Sequence, residues 1–239
     1  MSELRTGSFE SLLSQPDAHV VFDFSPEANT LLVLFGGIAG GVSMPVFEFF
    51  RVASSIPSRK AFLRDPRRGW YQLGIPGVGD SAGAVKSLLD EIIDQSGADR
   101  VVMAGASAGG FAALLFGAQC AADEVIAFSP QTFVDAQNRS VHDDQRWGEQ
   151  IAALHAATCG RNATLDLFDV LSNAPPTTRF QLHVSSDDAL DLVHARRVAS
   201  RPGVDVVAHE RGGHRLVMTL RDRGQLEPIL RAALTGVSG

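Results

Sequence analysis

The stretch Asp99–Gln119, DRVVMAGASAGGFAALLFGAQ, sets a single serine among small residues. Gly105 and Gly109 stand two residues to either side of Ser107, giving Gly-x-Ser-x-Gly. The apolar run Val101–Ala104 comes before it, and Phe111–Phe116, of helical composition, comes after. A turn this tight between a strand and a helix forces strained backbone angles on the serine and lifts its hydroxyl above the sheet. Side chains at the two glycine positions would collide with the neighbouring strand and helix. The Ala108 N–H would then face an oxyanion forming on a substrate, with the positive end of the helix behind it. The chemistry expected of such a serine is nucleophilic acyl transfer. The bland reading of the same residues is a turn of small side chains that lets a helix pack closely on a sheet.

A serine nucleophile needs a base, and the base needs an acid to orient it. On a strand–nucleophile–helix scaffold of this kind the chain order is serine, acid, histidine. Of the seven histidines, His214 follows the last strand-like run through ERGGH and precedes a helical pattern, so it is the expected base. His183 and His209 fall inside strands, His194 inside a helix, and His142 and His155 in an irregular region. The acid should lie just past RFQLHV, where SSDDALD offers Asp187, Asp188 and Asp191. Asp188 leaves room for a short turn and a few loop residues before a helix, so it is the expected acid. Asp191 comes next, with a helix N-cap as its competing role. A second oxyanion donor is expected from LFGGIAGG, at Gly37, with Ile38 as the neighbouring choice. Gln131, just past a strand end, is a candidate substrate contact.

These residues need elements to position them. Strand-like runs occur at 19–25, 30–37, 60–65, 100–105, 124–130, 179–186 and 204–210. Helical patterns occur at 84–97, 109–120, 191–203 and 214–234, the last broken near Gly224. The alternation predicts an α/β fold with a mostly parallel sheet and helices on both faces. Residues 131–178 break the rhythm, with a helical piece near 145–157 and Pro175-Pro176 at the exit. They are read as a small cap over the sheet's C-terminal edge within a single domain spanning 1–239; an ordinary long crossover is the alternative.

Bulk properties narrow the partners. Of the 239 residues 45% are hydrophobic and 20% charged, an ordinary globular balance. Net charge is −6, and no basic stretch tracks a phosphate backbone, so nucleic-acid binding is not expected. GASAGG has serine where a dinucleotide-binding turn has its middle glycine, and there is no Gly-Lys-Ser/Thr. Cys120 and Cys159 are the only cysteines and lie far apart, which fits a reducing compartment. MSELRTGSFESLLSQPD lacks a basic segment followed by an apolar core, so no secretory signal is expected. Leu31–Val42 is too short and glycine-rich to span a bilayer. The expectation is a cytoplasmic protein with no membrane span and no metal. RDPRRGWYQ could line an anionic or sugar surface through its arginines and Trp70, or bury the tryptophan under a solvated loop. VSMPVFEFFRVASS could wall an acyl pocket with Phe47, Phe49 and Phe50, or form a core helix.

Taken in order, LFGG, VVMAGASAGGFAALL, SSDD and GGH resemble the α/β-hydrolase superfamily from about Val20 to Leu234. The resemblance implies a mostly parallel sheet of about eight strands, or fewer here, a Ser107–Asp188–His214 triad and no cofactor. FLRDPRRGWYQLGIPG, AFSPQTFVD and GGHRLVMTL are similar to small α/β-hydrolase-like proteins found beside bacterial polysaccharide and cell-surface glycan genes, thought to be acyl esterases or acyltransferases. Phe35 departs from the many esterases that place histidine before the oxyanion glycines. The expected function is a serine-dependent, esterase-like acyl hydrolase acting on a small-molecule or glycan-linked acyl substrate. The alternatives are an acyltransferase working through the same acyl-enzyme and a non-catalytic accessory protein of the same fold.

Overall fold

A computed structural model describes residues 18–38 and 49–236. Phe47 and most of the glycine-rich stretch after Ile38 lie outside those residues, as does the N-terminal segment. Seven strands form one sheet: β1 (Val20–Asp23), β2 (Thr30–Phe35), β3 (Arg59–Leu63), β4 (Arg100–Ala106), β5 (Glu124–Phe128), β6 (Arg179–Ser185) and β7 (Val204–His209). Their spatial order is β1-β3-β2-β4-β5-β6-β7; β1 pairs antiparallel with β3, and every other pairing is parallel. Among the described residues the sheet thus has seven strands, the smaller count that the resemblance allowed.

The central strands read as unbroken apolar runs because both of their faces are buried. In β2, Leu31, Val33 and Phe35 enter one core while Leu32 and Leu34 enter the other. In β4 the same period of two sends Val101 and Met103 one way, and Val102, Ala104 and Ala106 the other. The first core is covered by α2 (Ala82–Ser96), α3 (Ala108–Gln119), α5 (Gly148–Thr158), α6 (Phe168–Ser172) and α7 (Ala189–Val198). The second is covered by α1 (Phe50–Ser54), α8 (Leu216–Asp222) and α9 (Leu226–Thr235). Phe49 packs into the second core with its ring 5.8 Å from that of Phe128. Helix α2 shows how local sequence sets an end: Ser81 accepts the Ala84 N–H at its start, and Gly97 closes it in the left-handed conformation.

Between β5 and β6 lie α4 (Ala136–Val141), α5 and α6. The base of this segment is closed by an antiparallel bridge between Phe133 and Asp166 and by backbone bonds Val134 N–H to Leu165 O and Leu167 N–H to Thr132 O. Ile151, Leu154, Leu167 and Leu171 anchor it in the first core. No described helix is long and apolar enough to cross a membrane.

Candidate active site

The turn between β4 and α3 places Ser107 at φ 54°, ψ −118°, a conformation that L-residues adopt at a cost of about 1–3 kcal/mol. The glycines on either side are required by the close packing of the turn. A Cβ on Gly105 would lie 2.2 Å from the Gly109 carbonyl oxygen, and one on Gly109 would lie 2.3 Å from the Phe35 carbonyl oxygen. Close packing and strain therefore occur together here, and the serine is the residue that carries the strain. Its own N–H donates to the Phe128 carbonyl, which ties the turn to β5. Ala108 is the first residue of α3, where an N–H has no acceptor within its own helix. Gly37, two residues past the end of β2, packs against the same turn: a Cβ there would sit 3.1 Å from the Ala106 oxygen. Tyr71, fully buried, steadies this loop with a hydroxyl whose one proton is shared between the Gly36 and Leu63 carbonyls, 3.0 and 2.9 Å away.

His214 arrives from the other end of the sheet. Gly212 and Gly213 adopt positive φ (153° and 53°) and carry the chain from β7 into a short 3-10 turn, Gly213–Arg215. Asp187 accepts the Gly213 N–H at 2.9 Å and so braces this loop. The His214 Nε2 lies 2.9 Å from the Ser107 Oγ. On the far side of the ring, Nδ1 lies 2.8 Å from Asp191 Oδ1 and 3.1 Å from Oδ2. With Nδ1–H donating to the carboxylate, Nε2 is left as the acceptor for the serine hydroxyl.

The acid facing His214 is Asp191, not Asp188. Helix α7 begins at Ala189, two residues before the start expected from sequence, so Asp188 becomes its N-cap and accepts the Asp191 N–H at 2.9 Å. Asp191 then falls in the first turn on the inward face shared with His194, Ala195 and Val198, and it is fully buried. That spacing of three, four and seven was present in the sequence and marks Asp191 as inward once the helix start is known. Burial alone would raise the Asp191 carboxyl. The hydrogen bond and charge of His214, together with Arg146, outweigh burial and hold it below the usual carboxylate range.

Arg146 and Asp144 escaped the sequence reading altogether. They sit before α5, in the segment between β5 and β6. Arg146 Nη1 donates to Asp191 Oδ1 at 2.7 Å, while its Nε and Nη2 donate to Asp144 at 3.0 and 2.9 Å. Asp144 also contacts His194 Nε2 at 3.0 Å. Because His194 Nδ1 accepts the Thr132 N–H at 3.0 Å, its proton resides on Nε2 and points at Asp144. Burial and Arg146 hold His194 below the ordinary imidazole range, with Asp144 opposing them.

Gln131 is fully buried and accepts the Trp70 indole N–H at 2.8 Å, and Trp70 is itself fully buried. This tryptophan offers no face to a sugar. Phe35 stacks on Phe116 and meets Tyr71 edge-on, so it is a core residue. His183 and His209 face each other, Nδ1 to Nε2 at 3.0 Å, and burial pushes His183 down to about 3. Asp188, Asp191 and His214 offer ligand atoms within 4.8 Å of one another. The Arg146 guanidinium on Asp191 sets a positive charge against that cluster and opposes a cation there.

At the level of sequence, no family model and no curated protein matches the chain. Solved structures do. The capsule O-acetyltransferase of Neisseria meningitidis serogroup A superposes with a TM-score of 0.67 at 12% identity, over 89% of this chain and 90% of that one. MGS-MChE2, an alpha/beta hydrolase enzyme from a lagoon-sediment metagenome, gives 0.58 at 15% identity over 91% and 96%. The chain has the α/β-hydrolase fold. MenH from S. aureus, at 0.60 and 15% identity over 91% and 98%, shares it. Within this α/β-hydrolase fold Ser107 sits on the strand-to-helix turn after β4, and His214 follows β7.

Proposed function

We propose that the protein is a serine-dependent acyl hydrolase with the triad Ser107–His214–Asp191. The observation that carries this reading is the unbroken chain of contacts from Ser107 Oγ to His214 Nε2 (2.9 Å) and from His214 Nδ1 to Asp191 (2.8 Å), on a strained turn. His214 Nε2 takes the hydroxyl proton as Ser107 Oγ attacks an acyl carbonyl. The N–H groups of Ala108 and Gly37 are the proposed donors to the resulting oxyanion. His214 then returns the proton to the leaving group, and water, activated by the same imidazole, releases the acid. Residues 131–178 act as the cap of this site, since Arg146 reaches from them to Asp191.

Acyl transfer to an alcohol or amine is the second reading. The reading draws on the capsule O-acetyltransferase that shares this fold. A glycan-linked acyl group suits either reaction. Intact mass after incubation with a fluorophosphonate tests the nucleophile: one adduct is expected, absent from Ser107→Ala and His214→Ala. Product analysis with p-nitrophenyl esters, with and without an added alcohol or amine, then separates hydrolysis from transfer. A wild-type chain that takes up no adduct and cleaves no ester would refute the enzyme reading in favour of an accessory protein.

A further inference from the structure

In a Ser-His-Asp arrangement the acid orients the imidazole and stabilises its cation in the transition state. Here Asp191 shares the oxygen that faces His214 with a guanidinium. Arg146 Nη1 and His214 Nδ1 both meet Oδ1, at 2.7 and 2.8 Å, and stand 3.3 Å from each other. Two donors converging on one carboxylate oxygen fix its position firmly. A permanent cation there would also weaken the acid's pull on an imidazolium. A second carboxylate answers this. Asp144, nearly as buried as Asp191, takes the other edge of the same guanidinium through two hydrogen bonds. The neutral His194, held by the Thr132 N–H, fixes Asp144 from behind.

We propose that Arg146 and Asp144 are a charge-balanced positioning pair for the catalytic acid: the guanidinium locks the Asp191 carboxylate against His214, and Asp144 offsets its charge so that Asp191 still stabilises the imidazolium. This rests on the acyl-transfer reading above. Other charges border the site from each neighbouring element. Asp188, the N-cap of α7, lies in the same cluster but is partly exposed. Asp187 is turned to the Gly212 and Gly213 N–H groups, and Arg215 is exposed beside Met218. Arg139 of α4 stands 3.9 Å from Asp144, the longest of these contacts. Solvent screens the exposed charges, whereas the Asp191–Arg146–Asp144 set is largely shielded. The pairing also means that the cap touches the site through a fixed ionic contact rather than a loose edge.

The test is a titration of the His214 ring by proton–nitrogen NMR in the full chain. Asp144→Asn removes a negative charge and is expected to lower the His214 midpoint by about one pH unit. Arg146→Gln keeps hydrogen-bond donors but removes the positive charge, and is expected to raise it by about the same amount. The double variant is expected to return close to wild type. Arg146→Lys, which retains charge without the planar fork, should keep the midpoint while slowing fluorophosphonate labelling. Midpoints that stay fixed, or that move the same way in Asp144→Asn and Arg146→Gln, would overturn the proposal. Opposite shifts in a chain that no fluorophosphonate labels would uphold the electrostatic pairing and refute the acyl-transfer reading instead.

Discussion

The two halves of the candidate site are built in different ways. The nucleophile side is one continuous stretch, β4 through the start of α3, whose geometry is imposed by the backbone. Gly105 and Gly109 are pressed against other main-chain atoms, and Ser107 takes the strained angles that remain. The acid side is assembled from segments far apart in the chain: Asp144 and Arg146 before α5, Asp191 and His194 on α7, and His214 after β7. Its geometry is imposed by side chains, through hydrogen bonds among buried or part-buried titratable groups. A backbone-defined site is rigid but intolerant of added atoms. A side-chain-defined site tolerates shape changes better and charge changes worse.

This contrast can be broken at either end. The largest effect is expected from Ser107→Ala, which should lower ester turnover at least about a thousandfold while leaving the fold intact; retained turnover would move the nucleophile elsewhere. Asp191→Asn should cost about a hundredfold to ten-thousandfold in kcat, with Asp188→Asn near wild type in the same assay. Equal losses in the two would return Asp188 to the role expected from sequence. Gly109→Ala places a methyl group on the Phe35 carbonyl and should destabilise the protein by roughly 3 kcal/mol or more in chemical denaturation.

Smaller and more graded is the response to acid. Asp191 and Asp144 are both held below the usual carboxylate range, and carboxyls held low stabilise the fold above their ordinary values. Their contribution should therefore be lost as pH drops through about 4 and lower, following an earlier loss that begins near pH 6.5, where the unfolded chain protonates His183 and His194 while the fold holds them neutral. Arg146→Gln should alter that acid slope, whereas a change at the nucleophile turn should not. Circular-dichroism melts across pH would show which half carries the dependence. Smallest is Asp188→Ala, which loses a helix cap worth about 1 kcal/mol, read as a shift in melting temperature.

Much of this fold is legible in the order of residues. Continuous apolar strands, the spacing of α2 and the Gly-x-Ser-x-Gly turn are local patterns, and local sterics decide them. The place of GGH after the last strand-like run singled out His214, which the structure sets against Ser107, and SSDDALD marked the region of the carboxylate that meets its ring. Spacing along the chain favoured Asp188 over Asp191 and Asp187, whereas the structure sets Asp191 against His214 and makes Asp188 a helix N-cap. Those three lie within five positions, and which one faces His214 depends on where α7 starts, a point settled by its packing on the sheet. Gln131 illustrates the same limit: its place past a strand end suggested substrate, but the side chain is buried against Trp70.

Sequence by itself determined the alternating architecture, the serine turn and the histidine after the last strand, because each is encoded by neighbours in the chain and by backbone geometry. Tertiary structure alone decided that Asp191 meets His214 while Asp188 caps a helix, and that Arg146 and Asp144 stand behind them. The contacts of Arg146 with Asp191 and of Asp144 with His194 join residues 45 and 50 positions apart along the chain. No local pattern encodes such a meeting, which arises only when sheet, helix and cap are packed together around buried charges that must each find a partner.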